Sequence, residues 1–193
     1  MSTPLLTIGI LTINGREHFL DRLLKHIKTI LTEEISHKVE IIVNKDNRET
    51  TVGVKRNQII NKASGKYICF IDDDDMISEN YFNSILPELE KDVDCVGFSG
   101  NYYVSNNFVM KFNHANSNRG HYRENGIQYR PVNHLNPTRT SIVKQFPFQE
   151  INCYEDSDYT ERLFNSKLIK TESIINDIMY HYMFDPLVTA TQK

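Results

Sequence analysis

Four aspartates stand side by side at Asp72, Asp73, Asp74 and Asp75, directly behind the apolar run Tyr67–Ile71 (YICFI). Adjacent carboxylates repel one another, and each resists ionisation unless a cation lies nearby. Their hard oxygens suit Mg²⁺ or Mn²⁺. A divalent ion held by one or two carboxylates completes its shell with water and substrate phosphates. The chemistry offered by the cluster is therefore a metal–diphosphate site. The plainer alternative is an acidic turn capping the helix that begins near Ser78. That accounts for one or two acids, not four. EF-hand spacing is absent around the cluster, which argues against a Ca²⁺ loop.

The elements that must position these carboxylates follow from hydrophobic spacing. Residues 5–13 (LLTIGILTI) form an apolar run suited to a strand buried on both faces. Asn14-Gly15 is a turn signal. Residues 17–31 place Phe19, Leu20, Leu23, Leu24, Ile27 and Ile30 at helical spacing, with Asp21, Arg22, Lys25 and Lys28 mainly opposite. Residues 39–43 (VEIIV) predict a second buried strand, 53–63 a helix ended by Ser64-Gly65, and 67–71 a third strand. This β-α-β-α-β order implies a parallel sheet with right-handed crossovers. The aspartates then fall at the carboxyl end of a strand, where open α/β sheets bind their ligands. A helix over 79–90, bent or shortened by Pro87, and a strand over 93–98 follow.

The second half changes character. Residues 101–112 predict a hairpin around Ser105-Asn106-Asn107. Residues 113–127 (NHANSNRGHYRENGI) are polar and patternless and are expected to form a long loop. Its His114, Arg119, His121 and Arg123 suggest a segment that folds over a ligand and excludes water. Strand-like pieces lie in 129–143, a helix is expected over 155–166, and a last strand over 174–184. One domain spanning 1–193 is expected, with a nucleotide-sugar-binding half at 1–100 and an acceptor-binding half at 101–193.

Composition bounds the function. The 193 residues carry 22 Lys+Arg against 25 Asp+Glu, a net charge of −3, with 39% hydrophobic residues. This excludes an acidic disordered chain and a strongly basic nucleic-acid-binding domain, so no extensive nucleic-acid surface is expected. No apolar run reaches the roughly 18 residues of a membrane helix. The N-terminal stretch lacks the basic region of a signal peptide. Cys69, Cys95 and Cys153 are odd in number and widely spaced, as expected of reduced thiols in a cytoplasmic protein.

The stretch from Gly53 to Asp75, GVKRNQIINKASGKYICFIDDDD, resembles the central signature of GT-A fold glycosyltransferases of the family-2-like group. In that signature an Arg-Asn pair (Arg56-Asn57) opens a helix and Ala-x-Gly (Ala63–Gly65) ends it. An apolar strand then runs into an Asp-x-Asp motif (Asp72-Asp73-Asp74). The opening TIGILTINGRE, the second strand EIIVNKDN and the downstream NPTRTSIVKQFPFQEINCYEDSDYTERLF resemble further parts of the family pattern. The resemblance implies a Rossmann-like nucleotide-diphospho-sugar transferase fold, with a mixed, mostly parallel central sheet flanked by helices. It implies a nucleotide-sugar donor, UDP-sugar favoured, a glycan or other hydroxyl acceptor, and Mn²⁺ or Mg²⁺.

Roles follow position by position. Asp74 is expected to ligate the metal, Asp72 to contact the ribose or the metal, and Asp73 to reach the nucleotide. The fourth aspartate leaves the ligand open by one position. Asp46 is expected to accept from the base, although Lys45 stands where the family often has a second acid. Arg56 is expected to pair with the diphosphate or the Asp-x-Asp loop, with Lys55 in reserve. Arg16 has a weaker case, and Thr12, Ile13 and Asn14 are expected to touch the nucleotide through backbone. Asp156 is the expected general base of an inverting transfer, with Glu155 beside it, because the base must face the leaving diphosphate from a distant segment. His181 is the expected third metal ligand. Two other readings stand: nucleotidyl transfer to a sugar phosphate, disfavoured by a first loop (TINGREHF) poor in Gly and basic residues, and a non-catalytic binding module.

Overall fold

The computed structural model describes residues 3–187. The elements run β1 (Leu6–Ile13), α1 (Glu17–Ile30), α2 (Glu33–Ser36), β2 (Val39–Asp46), α3 (Val52–Lys62), β3 (Tyr67–Phe70), β4 (Met76–Ile77), α4 (Tyr81–Glu90) and β5 (Cys95–Val104). Then come β6 (Asn107–His114), β7 (Tyr122–Glu124), β8 (Ile127–Arg130), β9 (Thr138–Arg139), α5 (Thr140–Val143), α6 (Glu155–Ser166) and β10 (Glu172–Phe184).

One ten-stranded sheet carries the fold, in the order β2-β1-β3-β9-β5-β6-β8-β7, with β10 alongside β5 and β4 on β10. It is mixed, and most of its paired length is parallel. β1 lies between β2 and β3, parallel to both. The register sets Ile13 opposite Asp46. The ends of β1 and β2 thus share one rim, and β3 runs out into the four aspartates beside them. This is the strand-end geometry expected from the β-α-β-α-β pattern.

The β3 run is apolar throughout because both of its faces are covered. Tyr67, Cys69 and Ile71 enter one core with Leu23 and Ile27 of α1 and Phe82, Ile85 and Leu89 of α4. Ile68 and Phe70 alternate into a second core with Ile59 and Ile60 of α3, Phe148, and Tyr159 and Leu163 of α6. Each such buried side chain contributes about 1.5–3 kcal/mol by leaving water, which fixes both helix layers against the sheet. Among the described residues no helix is long and apolar enough to cross a membrane.

Three expectations change. Helix α4 continues through Pro87 to Glu90 and begins at Tyr81 rather than 79. The strand expected at 93–98 and the first arm of the 101–112 hairpin are one strand, β5, turning at Ser105 and Asn106, both with positive φ. The long loop expected over 113–127 is shorter, with strand at both of its ends and residues 115–121 outside any helix or strand. β6 extends to His114, and β7 and β8 form a hairpin through Asn125 and Gly126. Tyr122 and Tyr129 stack across it at 4.8 Å, and Asn118 Nδ2 donates to the Asn113 and Arg130 carbonyls. The polar run hid strands because pairing and Asn side chains, not apolar periodicity, hold them.

Candidate functional site

A cleft of about 550 Å³ opens at the strand ends. Its walls are Leu11–Ile13 and Arg16 after β1, Lys55 and Arg56 of α3, all four aspartates, Arg130 and His134, residues 152–157, and the end of β10. Both halves of the chain contribute.

The four aspartates separate into different roles because they form a turn, with Asp75 N–H donating to the Asp72 carbonyl at 3.1 Å. Asp73 is buried and fully engaged. It accepts from Thr12 Oγ1 at 2.7 Å and from the Arg16 guanidinium at 2.6–3.2 Å. Asp75 is buried under the end of β10, accepting from Tyr180 Oη at 2.7 Å and Met183 N–H at 2.6 Å. Burial, and then the charges of Asp72 and Asp74, push its carboxyl well above the usual range. It holds the turn and does not reach for a ligand. Asp72 and Asp74 remain for chemistry. Burial opposes the charge of Asp72, but His134 and Arg56 outweigh it and hold the group low. Burial and the neighbouring Asp72 push Asp74 up, against the opposing Arg16, whose guanidinium lies 2.7 Å away.

Helix α3 delivers two buried cations. Its N-terminus is capped by Thr51 Oγ1, which accepts from Val54 N–H. Gly53 is required there: a Cβ would stand 1.7 Å from the Gln149 carbonyl oxygen. This approach, with Gly53 N–H donating to Ile151 O at 3.1 Å, docks the segment before α6 onto α3. Lys55 donates to the Thr12 carbonyl at 2.8 Å and pairs with Asp46. Arg56 lies over the Phe70 and Phe148 rings, 4.9 and 5.5 Å from their centroids. Its guanidinium is 3.4 Å from Asp72 and 3.5 Å from Glu155. Arg56 therefore bridges the aspartate cluster to the acids that open α6. Glu155 is buried, and burial raises its carboxyl against the pull of Arg56. Asp156 lines the cleft beside it, in the first turn of α6.

Thr12, Ile13, Arg16, Arg56, Asp72, Asp73, Asp74, Glu155 and Asp156 are thus brought together as expected. Asn14 and Asp46 are not among the lining residues. Asp46 is occupied by Lys55, the Thr50 amide and hydroxyl and the Arg48 amide. Burial opposes its charge, but these donors pull it from the ordinary 3.8 to about 2. His181 is placed elsewhere. Tyr180 and Tyr182 face the aspartates, so the residue between them points to the other side of β10. There its Nε2 meets Ser78 Oγ at 3.1 Å. His181 is not among the residues that line the cleft.

Among the cleft residues that sequence did not point to are Arg130, His134 and the exposed Tyr154, whose φ of 69° starts α6. Arg130 and His134 lie among the strand-like pieces of 129–143, with no motif to single them out. A left-handed tyrosine has no sequence signal.

A divalent cation can be tested against this donor set. Among the described residues no group of three His, Cys, Asp or Glu is arranged to hold a metal. Asp72 and Asp74 are two hard donors facing one cleft, and Asp74 resists ionisation where it stands. The protein side therefore fits an ion that takes two carboxylates and draws its other ligands from water and a phosphate-bearing substrate.

A parallel sheet feeding an acid-lined cleft at its strand ends defines a sugar-nucleotide transferase fold of the GT-A kind. The model of the family described as glycosyl transferase family 2 matches residues 10–151, and the chain belongs to that family. The same fold recurs in solved structures of S. aureus TarS. TarS 1–349 in complex with UDP-GlcNAc matches with a TM-score of 0.64 at 14% identity, over 93% of this chain and 58% of that one. TarS 1–349 in complex with UDP matches at 0.62 and 16% identity, over 94% and 61%. A longer TarS structure matches at 0.62 and 17% identity, over 93% and 37%. The chain spans about three fifths or less of the length of these structures. No curated protein sequence matches the chain.

Proposed function

We propose that the chain is a metal-dependent, inverting glycosyltransferase that moves a sugar from a nucleoside-diphosphate sugar to an acceptor hydroxyl. The observation that carries the reading is the convergence, in one cleft, of Asp72 and Asp74 from the β3 end with Asp156 from the start of α6. Family membership supports it, and neighbours solved with UDP and UDP-GlcNAc favour a UDP-sugar as donor.

Nucleotide contacts fall to Thr12 and Ile13 on the β1 rim. Lys55, fixed by Asp46 and the Thr12 carbonyl, holds that rim. Asp46 stands behind it, so base recognition through Asp46 requires Lys55 to give way. Asp72 and Asp74 would hold a Mn²⁺ or Mg²⁺, which when bound would supply charge neutralisation for the departing diphosphate. Arg16 keeps Asp73 and Asp74 in place, and Arg56 keeps Asp72 in register with Glu155. Asp156 takes the proton from the acceptor hydroxyl as its oxygen attacks the anomeric carbon and the bond to the diphosphate breaks. Residues 1–100 supply the donor side, and most acceptor contacts come from 101–193. The buried thiols Cys69 and Cys95 fit a reducing, cytoplasmic setting.

The test is a binding and turnover screen across UDP-, GDP- and dTDP-sugars with Mn²⁺. Binding of at least one donor, enhanced by metal, is expected. Failure of all of them overturns the reading. Asp156→Asn should lower transfer by about 10²–10⁴-fold with donor affinity retained, and loss of both together removes Asp156 as the base.

A further inference from the structure

The cleft cations divide into two sets. Arg16, Lys55 and Arg56 are each matched by a carboxylate: Asp73 and Asp74, Asp46, and Asp72 with Glu155. Among the described residues Arg130 has no carboxylate within ion-pair distance, and its Nε is buried with no hydrogen-bond partner. His134 is 8% exposed, and neither of its ring nitrogens has a hydrogen-bond partner. Its Nε2 stands 3.8 Å from Asp72, beyond hydrogen-bond length.

A buried donor without a partner costs about 1–3 kcal/mol. Arg56 also keeps Nε and Nη1 without hydrogen-bond partners, but it stands 3.4 Å from Asp72. Arg130 has its Nε unpartnered and, among the described residues, no carboxylate beside it, so its place in the cleft wall points to a missing acceptor. The two residues are also rigidly presented. The Arg130 carbonyl accepts from Ala115 N–H at 3.1 Å and Asn118 Nδ2 at 2.7 Å. The His134 carbonyl accepts from Phe70 N–H at 2.8 Å, and the Asn133–Asn136 side chains brace the turn around it. Both line the same cleft, and burial, then the charges of Arg130 and His134 in that order, hold the His114 imidazole well below its ordinary range.

We infer that Arg130 and His134 form an anion subsite at the acceptor end of the cleft, so that the acceptor carries a phosphate or carboxylate close to the hydroxyl that attacks. The inference rests on the transferase reading, which leaves the acceptor class open. The chemistry is consistent with the neighbours: Glu155 and Asp156 repel an anionic acceptor unless a cation beside them offsets the charge, and Arg130 is the cleft cation not spent on a protein carboxylate. A guanidinium fork matches either oxyanion bidentately.

The test uses calorimetric titration of the full chain loaded with UDP and Mn²⁺. The probes are sn-glycerol 3-phosphate and glucuronate, each against its neutral counterpart, glycerol and glucose. Each anionic probe is expected to bind about tenfold tighter than its counterpart, as a charge-assisted pair allows. A preference confined to one probe identifies the oxyanion as phosphate or carboxylate. Arg130→Gln should abolish the preference and Arg130→Lys keep part of it, with UDP affinity within about twofold of the parent for both. His134→Asn serves as the second variant should Arg130→Gln fail to fold. Equal affinity for charged and neutral probes overturns the proposal. So does a fall in UDP affinity matching that for glycerol 3-phosphate, which would move Arg130 to the donor diphosphate. If UDP itself does not bind, the donor reading fails instead. The same titrations without UDP then still support or overturn the anion subsite.

Discussion

The two walls of the cleft are built on opposite electrostatic plans. On the wall made by β1, α3 and the β3 turn, cations and carboxylates are matched within the protein: Arg16 with Asp73 and Asp74, Lys55 with Asp46, Arg56 with Asp72. On the wall made by 130–134, Arg130 has no carboxylate within ion-pair distance among the described residues, and its Nε has no hydrogen-bond partner. The difference teaches which wall is finished before a ligand arrives. A self-neutralised wall costs little reorganisation when the donor binds. An unmatched wall reserves its interaction for the molecule that completes it.

The largest effect that can break this comparison is on the finished wall. Arg16→Met leaves the buried Asp73 without its partner and should destabilise by about 3–5 kcal/mol, read by urea denaturation. A loss under 1 kcal/mol would mean that Asp73 is not tied to Arg16 in solution. Next comes the hinge between the walls. Gly53→Ala forces a Cβ against the Gln149 carbonyl and should cost about 1–3 kcal/mol. It should also loosen the Glu155–Asp156 segment, seen as faster hydrogen exchange over 149–156. Unchanged exchange there would separate the two walls mechanically.

A smaller effect sharpens the role of Lys55. The carboxyl of Asp46 is lowered to about 2 from an ordinary 3.8, so the unfolded chain binds its proton first as pH falls. Its contribution to stability is present above about pH 4 and is lost as pH drops from there toward 2. Asp46→Asn should flatten that part of the acid-denaturation curve, and an unchanged curve would remove the Lys55–Asp46 pair as a stabilising feature. The smallest effect is on the open wall. Arg130→Met removes an unpartnered buried donor and should leave stability unchanged or raise it by about 1 kcal/mol. A loss as large as that of Arg16→Met would show that Arg130 is structural, and the contrast between the walls would fall.

The finished wall was also the legible one. Its strands are buried on both faces and read as apolar runs, so β1, β2 and β3 and the aspartates behind β3 were visible from residue types alone. Helix α6 was visible too, from its acidic start and apolar spacing. The open wall was not. β7 and β8 are held by cross-strand tyrosines and asparagine side chains, which leave no period in a polar sequence. Arg130 and His134 consequently had no motif to announce them. His181 was singled out because imidazole suits a metal, and the structure places it against Ser78 rather than among the cleft-lining residues. The alternation of β10 turns it away from the cleft, and a bulge in the β5 pairing made that alternation hard to count in advance.

Local order was therefore fixed by residue type and spacing: the β-α-β-α-β alternation, the acids at a strand end, and a distant acidic helix start. Those properties depend on near neighbours, whose periodicities are 2 and 3.6. Only the tertiary structure decided how the four aspartates divide their work. Asp73 is claimed by an arginine 57 residues away, and Asp75 by a tyrosine 105 residues away. Asp72 and Asp74 line the cleft, each beside an arginine from another element. Such assignments depend on which distant groups the fold brings within hydrogen-bond length, and no local pattern encodes that distance.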